Sequence, residues 1–70
     1  MPEKGIQNKL RLFRAQAGLT QEEVAQKTEV TRQTIISIEK GNYTPSVLLA
    51  LRLAKVLGTT VEELFYEDHE

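Results

Sequence analysis

Cysteine and tryptophan are absent from the 70 residues, histidine occurs once and proline twice. Without cysteine there are no disulfides, thiolate metal clusters or cysteine nucleophiles, which fits a reducing compartment. The lone histidine, His69, sits in an acidic terminal stretch and has no convergent partner for acid-base chemistry. Metal-ligand and phosphate-cradle spacings are missing too, so neither an enzyme nor a cofactor, metal or small-molecule site is expected. No apolar run approaches the ~18 residues of a membrane span, and no basic-then-apolar leader opens the sequence. A cytoplasmic protein without a membrane partner is the expectation.

What is present is an ordinary globular mixture, 40% hydrophobic and 27% charged. The length accommodates a single small domain, taken as residues 1–70 with a core over 7–65 and a tail over 66–70. A domain of this size buries only about 60% of its unfolded surface, so a second subunit is a natural supplement to its core. The net charge of −1 hides an asymmetry. Residues 1–40 hold seven bases against five acids, whereas residues 41–70 hold two bases against five acids, all five between Glu62 and Glu70. An anionic partner should therefore meet the first half of the chain.

Apolar positions recur at helical spacing almost throughout, and no stretch alternates long enough for a half-buried strand, so the chain reads as all-α. A first helix over about 7–17 gathers Ile6, Leu10, Phe13 and Ala17 on one face and stops at Gly18. Thr20 with Glu23 forms a capping box that opens a second helix over 21–28, with Val24, Ala25 and Thr28 facing inward. Thr31 caps a third helix through about Lys40, closed by Gly41 and Asn42. In Thr44-Pro45 a cap is followed by proline where its missing N–H costs nothing. A fourth helix over 46–57 then buries Val47, Ala50, Leu53, Ala54 and Leu57, while Leu49, Leu51 and Val56 widen its apolar arc. Thr60 with Glu63 predicts a short fifth helix through Phe65, followed by a frayed or extended tail.

The second and third helices are joined by three residues, which makes them cross steeply in a helix-turn-helix arrangement. On the third helix Ile35 and Ile38 point one way and Gln33, Ser37 and Lys40 the other, flanked by Arg32. Arginine pairs with guanine, glutamine with adenine, and a short hydroxyl with base or phosphate. A major groove accepts a helix tip presenting them, and a solvated polar face has the same composition. Arg14 projects beside the apolar face of the first helix, and Glu39 lies on the inward side of the third. A charge in such a place needs a partner, so an Arg14 to Glu39 ion pair is expected to tie the two helices together.

The stretch LTQEEVAQKTEVTRQTIISIEKG (Leu19 to Gly41) resembles the helix-turn-helix core of the phage-repressor-like, Xre-type transcriptional regulators. The following NYTPSVLLALRLAKVLGTTVEELF resembles their last two helices, and the short form with TRQT and a brief tail is most similar to the small dimeric cytolysin-regulator-type repressors. The resemblance implies a compact five-helix domain that binds double-stranded DNA as a homodimeric repressor, with Arg32, Gln33 and Ser37 in the base-reading positions. It also implies that Gln21 contacts a phosphate while buttressing Gln33, and that Asn42 and Tyr43, joined by Lys40, lie along the sugar-phosphate backbone. Thr31 and Thr34 offer hydroxyls to that backbone or serve as cap and local surface. An arginine and a glutamate occupy the positions of Arg14 and Glu39 in the family.

Two departures stand out against the family pattern. Glu29 occupies the site between the second and third helices where most relatives have glycine, at a cost of roughly 1 kcal/mol if the backbone there is left-handed. Ile36 stands where relatives often carry a small polar residue, placed to pack against a thymine methyl at the groove wall or to be ordinary surface. Leu12, Leu48, Phe65 and Tyr66 are surplus apolar area, either for a two-fold dimer to bury or ordinary exposed surface, and the resemblance puts the dimer seam near the fifth helix and tail, at Val61, Leu64, Phe65 and Tyr66. Two recognition helices in such a dimer lie about 34 Å apart, on an inverted repeat. The rival reading is a protein-interaction module, such as an antitoxin-like chain that grips another protein with the same scaffold.

Overall fold

A computed structural model describes residues 5–67. The last three residues of the tail, His69 among them, lie outside the described residues, as do residues 1–4 with Glu3 and Lys4. The order is β1 (Ile6–Asn8), α1 (Leu10–Ala17), α2 (Gln21–Thr28), α3 (Arg32–Glu39), α4 (Val47–Leu57), α5 (Val61–Leu64) and β2 (Phe65–Glu67). The five expected helices are all present, and β1 and β2 add a small antiparallel sheet that joins the two ends of the described chain, with Ile6 opposite Glu67 and Asn8 opposite Phe65.

Local chemistry accounts for most helix boundaries. Thr20 and Glu23 close a reciprocal capping box, the Thr20 Oγ1 accepting from the Glu23 amide at 3.0 Å and the Glu23 carboxylate from the Thr20 amide at 2.8 Å. Thr31 accepts from the Thr34 amide and Thr60 from the Glu63 amide in the same manner. At Thr60 the box is half formed, because the Glu63 carboxylate accepts from the Thr59 hydroxyl at 2.9 Å instead. Glu29 is the one non-glycine residue with positive φ among those described, at 64°, so the turn between α2 and α3 is left-handed on a residue that has a β-carbon.

Three boundaries differ from the sequence expectation. The first helix begins at Leu10 rather than Gln7, because Asn8 Oδ1 accepts the Leu10 amide at 3.1 Å while residues 6–8 pair with β2. Ile6 is thus a strand residue, 42% exposed, and Ala17 is exposed as well. The fourth helix is capped by Ser46, whose Oγ accepts the Leu49 amide at 3.1 Å, and not by Thr44. The fifth helix stops at Leu64, whose carbonyl accepts the Lys9 amide at 2.8 Å, and Phe65 turns into β2. Three-residue strands are too short to show a period, and their pairing spans the chain, so no local signal announces them.

The core gathers Leu10 of α1, Val24 and Ala25 of α2, Ile35 and Ile38 of α3, Leu49, Leu53, Ala54 and Leu57 of α4, and Leu64 of α5. Val47 is not part of it. That side chain is 78% exposed at the first turn of α4, and Leu49, one turn before Leu53, is buried in its stead. Thr28, the buried polar residue of the described chain, donates its hydroxyl to the Val24 carbonyl at 2.8 Å and leaves nothing unsatisfied.

Candidate nucleic-acid interface

Helix α3 is held from behind and left open in front. Ile35 is fully buried and Ile38 is 1% exposed, so the back of the helix is anchored by apolar burial on the order of 1.5 to 3 kcal/mol per side chain. Arg32 and Gln33 at the leading end are exposed, and Ser37 one turn later is half-buried. Thr31 caps the helix, and its hydroxyl lies 3.0 Å from that of Thr34. At the far end Gly41 turns at φ 81°, which brings the Asn42 amide to the Ser37 carbonyl at 2.9 Å. Asn42 and Tyr43, both exposed, are thereby set beside the outward face of α3 rather than trailing away from it.

A charged network fixes α3 against α1 and α2. Arg14 donates from Nε to Glu39 Oε2 at 2.7 Å and from Nη2 to Glu39 Oε1 at 3.3 Å, a two-pronged pair. Its Nη1 also reaches the Leu19 carbonyl at 3.1 Å. The side chains of Arg14 and Glu39 are 16% and 7% exposed, so the pair is largely shielded from water. Gln21 joins it, donating from Nε2 to Glu39 Oε1 at 3.1 Å. This corrects the expected buttress to Gln33. The Gln21 amide turns to the carboxylate because a charged acceptor holds an N–H more strongly than a neutral exposed side chain does. The second Nε2 hydrogen remains available to another acceptor.

Two open depressions flank α3. One, of about 800 Å³, is lined by Arg32, Ile36, Glu39 and Lys40 from α3 and its end, Arg11 and Arg14 from α1, and the start of α2 at Thr20, Gln21 and Glu22. The other, of about 280 Å³, is lined by Thr31, Gln33, Thr34, Ser37, Asn42 and Tyr43. Every residue expected from the sequence to touch bases or backbone therefore lies on one of these two walls. Arg11 also lies there and was missed by sequence reasoning. It sits three residues before Arg14 on α1, and that helical spacing is the signal that could have placed it.

The chain matches the helix-turn-helix family model over residues 10–64. It belongs to the Xre-type helix-turn-helix family. Among its relatives is an uncharacterized HTH-type transcriptional regulator of Methanocaldococcus jannaschii, 53% identical over 66 residues that cover 93% of this chain and all of that protein. The transcriptional repressor RstR of the cryptic phage CTXphi, from Vibrio cholerae, is 37% identical over 81% of this chain, which spans about half of RstR, 51%. The fold is similar to that of the restriction-modification controller protein C.AhdI of Aeromonas hydrophila, with a TM-score of 0.72, 31% identity, and coverage of 77% of this chain and 82% of that one. This helix-turn-helix protein is accordingly a DNA-binding transcriptional regulator and not an enzyme.

The regulator's expected dimer residues fall into two groups. Leu64 is fully buried in the protomer, so its side chain is unavailable to a second copy, and its assignment to the seam is corrected. It lies inside because α5 is a single turn that must seat one large side chain in the core to stay docked. Val61 and Phe65 are half-buried and Tyr66 is 44% exposed, with the Lys9 ammonium 5.7 Å from the Tyr66 ring centroid. Val61 and Phe65 line an apolar groove of about 400 Å³ together with Ile6, Val47 and Leu51. No helix of the described residues is long and apolar enough to cross a membrane.

Proposed function

We propose that this regulator is a homodimeric repressor, one helix-turn-helix domain over residues 1–70, that reads an inverted repeat by laying α3 in the major groove. The observation that carries the reading is the division of α3 into a buried back at Ile35 and Ile38 and an exposed leading edge at Arg32 and Gln33. A helix held so firmly behind fixes the backbone its front side chains project from, so binding has only their rotamers left to order. Arg32 pairs with guanine and Gln33 with adenine, and the Ser37 hydroxyl bonds a base edge one turn along. Gln21, with its spare amide hydrogen, Lys40, Asn42, Tyr43 and the hydroxyls of Thr31 and Thr34 hold the sugar-phosphate backbone and set register.

Similarity to a phage repressor supports the repressor role, exerted by occupying promoter DNA inside the cell at the nucleoid. The groove of Ile6, Val47, Leu51, Val61 and Phe65 supports the second copy as partner, since three of these apolar side chains are more than 40% exposed in the protomer. A dimer that reads two half-sites needs its two α3 helices about 34 Å apart, one turn of duplex.

Selection of bound duplexes from a random pool at fixed salt tests the reading. An enriched inverted repeat with half-sites one helical turn apart, protected from cleavage by the purified protein, is the expected result. A pool that never enriches overturns it in favour of a protein-gripping role for the same scaffold.

A further inference from the structure

We propose that the two strands bordering the major groove are gripped by chemically different seats, one ionic and one neutral, and that Arg11 is a phosphate-binding residue of the ionic seat. The inference rests on the DNA-reading function above and extends it to a side chain on α1. Along α3 the residues Arg32, Ile36 and Lys40 follow at four-residue steps and line the larger depression, whereas Gln33, Thr34 and Ser37 line the smaller. A helix seated in a major groove has one backbone strand on each side, so each strand meets one depression.

The two walls differ in charge. Arg11, Arg32 and Lys40 in the larger depression are exposed and make no side-chain hydrogen bond or ion pair among the described residues. Arg14 is already committed to Glu39, which leaves three unpaired cations against one carboxylate, that of Glu22. The smaller depression is lined by hydroxyls and amides without a charged side chain. Counterions are displaced where cations meet phosphates, so the salt dependence of binding arises on the ionic side alone. Arg32 turns to the bases, and Arg11 and Lys40 remain for the phosphates.

The test compares the salt dependence of affinity for wild type, Arg11→Gln, Arg11→Lys and Asn42→Ala on one selected duplex and one unrelated duplex. Arg11→Gln is expected to weaken both duplexes alike and to make the slope of log K against log salt shallower by about 1. Its affinity then falls about three- to fourfold less than that of wild type between 50 and 200 mM salt. Arg11→Lys keeps the wild-type slope, and Asn42→Ala lowers affinity on both duplexes with the slope unchanged. A wild-type slope in Arg11→Gln, or a slope lowered equally by Asn42→Ala, overturns the division into two seats while leaving DNA reading intact. Wild type that binds neither duplex at any salt overturns both, and circular dichroism of each variant separates lost contacts from lost folding.

Discussion

The side-chain amide of Asn8 donates to the main-chain carbonyl of Ile38 at 2.8 Å, thirty residues away in sequence, while its oxygen accepts the Leu10 amide. One residue of β1 thus holds the first amide of α1 and clamps the end of α3. Asn8→Ala removes both bonds and leaves a carbonyl with one partner fewer, so it is expected to lower unfolding free energy by about 1 to 2 kcal/mol in a urea titration.

The carboxylate of Glu39 collects Arg14 and Gln21 in a shielded site. Removing it leaves a largely buried guanidinium without its counter-charge, and Glu39→Ala should destabilise the fold by about 3 kcal/mol. The double change Arg14→Met with Glu39→Leu should unfold at a higher temperature than Glu39→Ala alone, because no unpaired charge remains. Equal thermal midpoints for Glu39→Ala and wild type would show that the pair contributes nothing.

Glu29 holds φ 64° with a side chain that is mostly exposed, and its contact to Arg52 is a loose 3.7 Å in solvent. Glycine relieves the left-handed strain and gives back part of that gain through the freer unfolded chain, so Glu29→Gly is expected to stabilise by roughly 0.5 to 1 kcal/mol. Differential scanning calorimetry reads this as a higher midpoint.

Arg32→Ala and Gln33→Ala should each relax sequence preference by ~1 to 3 kcal/mol at one base pair of each half-site, with thermal stability kept because both side chains are exposed. Competition binding against single-base variants of a selected duplex measures the loss.

If the proposed dimer forms through the apolar groove, Leu51 and Leu64 separate association from folding, since one is 55% exposed on that groove and the other is fully buried. Leu51→Lys should shift sedimentation toward the protomer with the helical signal unchanged. Leu64→Ala should cost about 2 to 5 kcal/mol of stability whatever the oligomeric state.

The parts of the interface that were legible beforehand depend on short stretches of chain. Thr20, Glu23 and Thr31 announce their helices because a cap involves residues within one turn of each other. Arg14 and Glu39 were recognisable as partners because each is a charge on the wrong side of an amphipathic helix. The sequence places Gln21 at the interface, and the neighbour its amide takes there is Glu39 rather than Gln33. Two carboxylate oxygens already shared with Arg14 draw its amide inward, and only the packed arrangement shows how close they are.

By itself the sequence determined five helices, their caps, and a third helix with an apolar back and a polar front, because helical periodicity and capping are written within three or four residues. The tertiary structure alone decided that residues 6–8 and 65–67 pair as strands, that Leu64 is buried while Val47 is exposed, and that Arg11 joins Arg32 and Lys40 on one wall. Those outcomes hang on which surfaces meet when helices from distant parts of the chain pack. A wheel drawn for one helix specifies the direction of a side chain, and only its neighbours across the fold decide whether it finds core, solvent or another charge there.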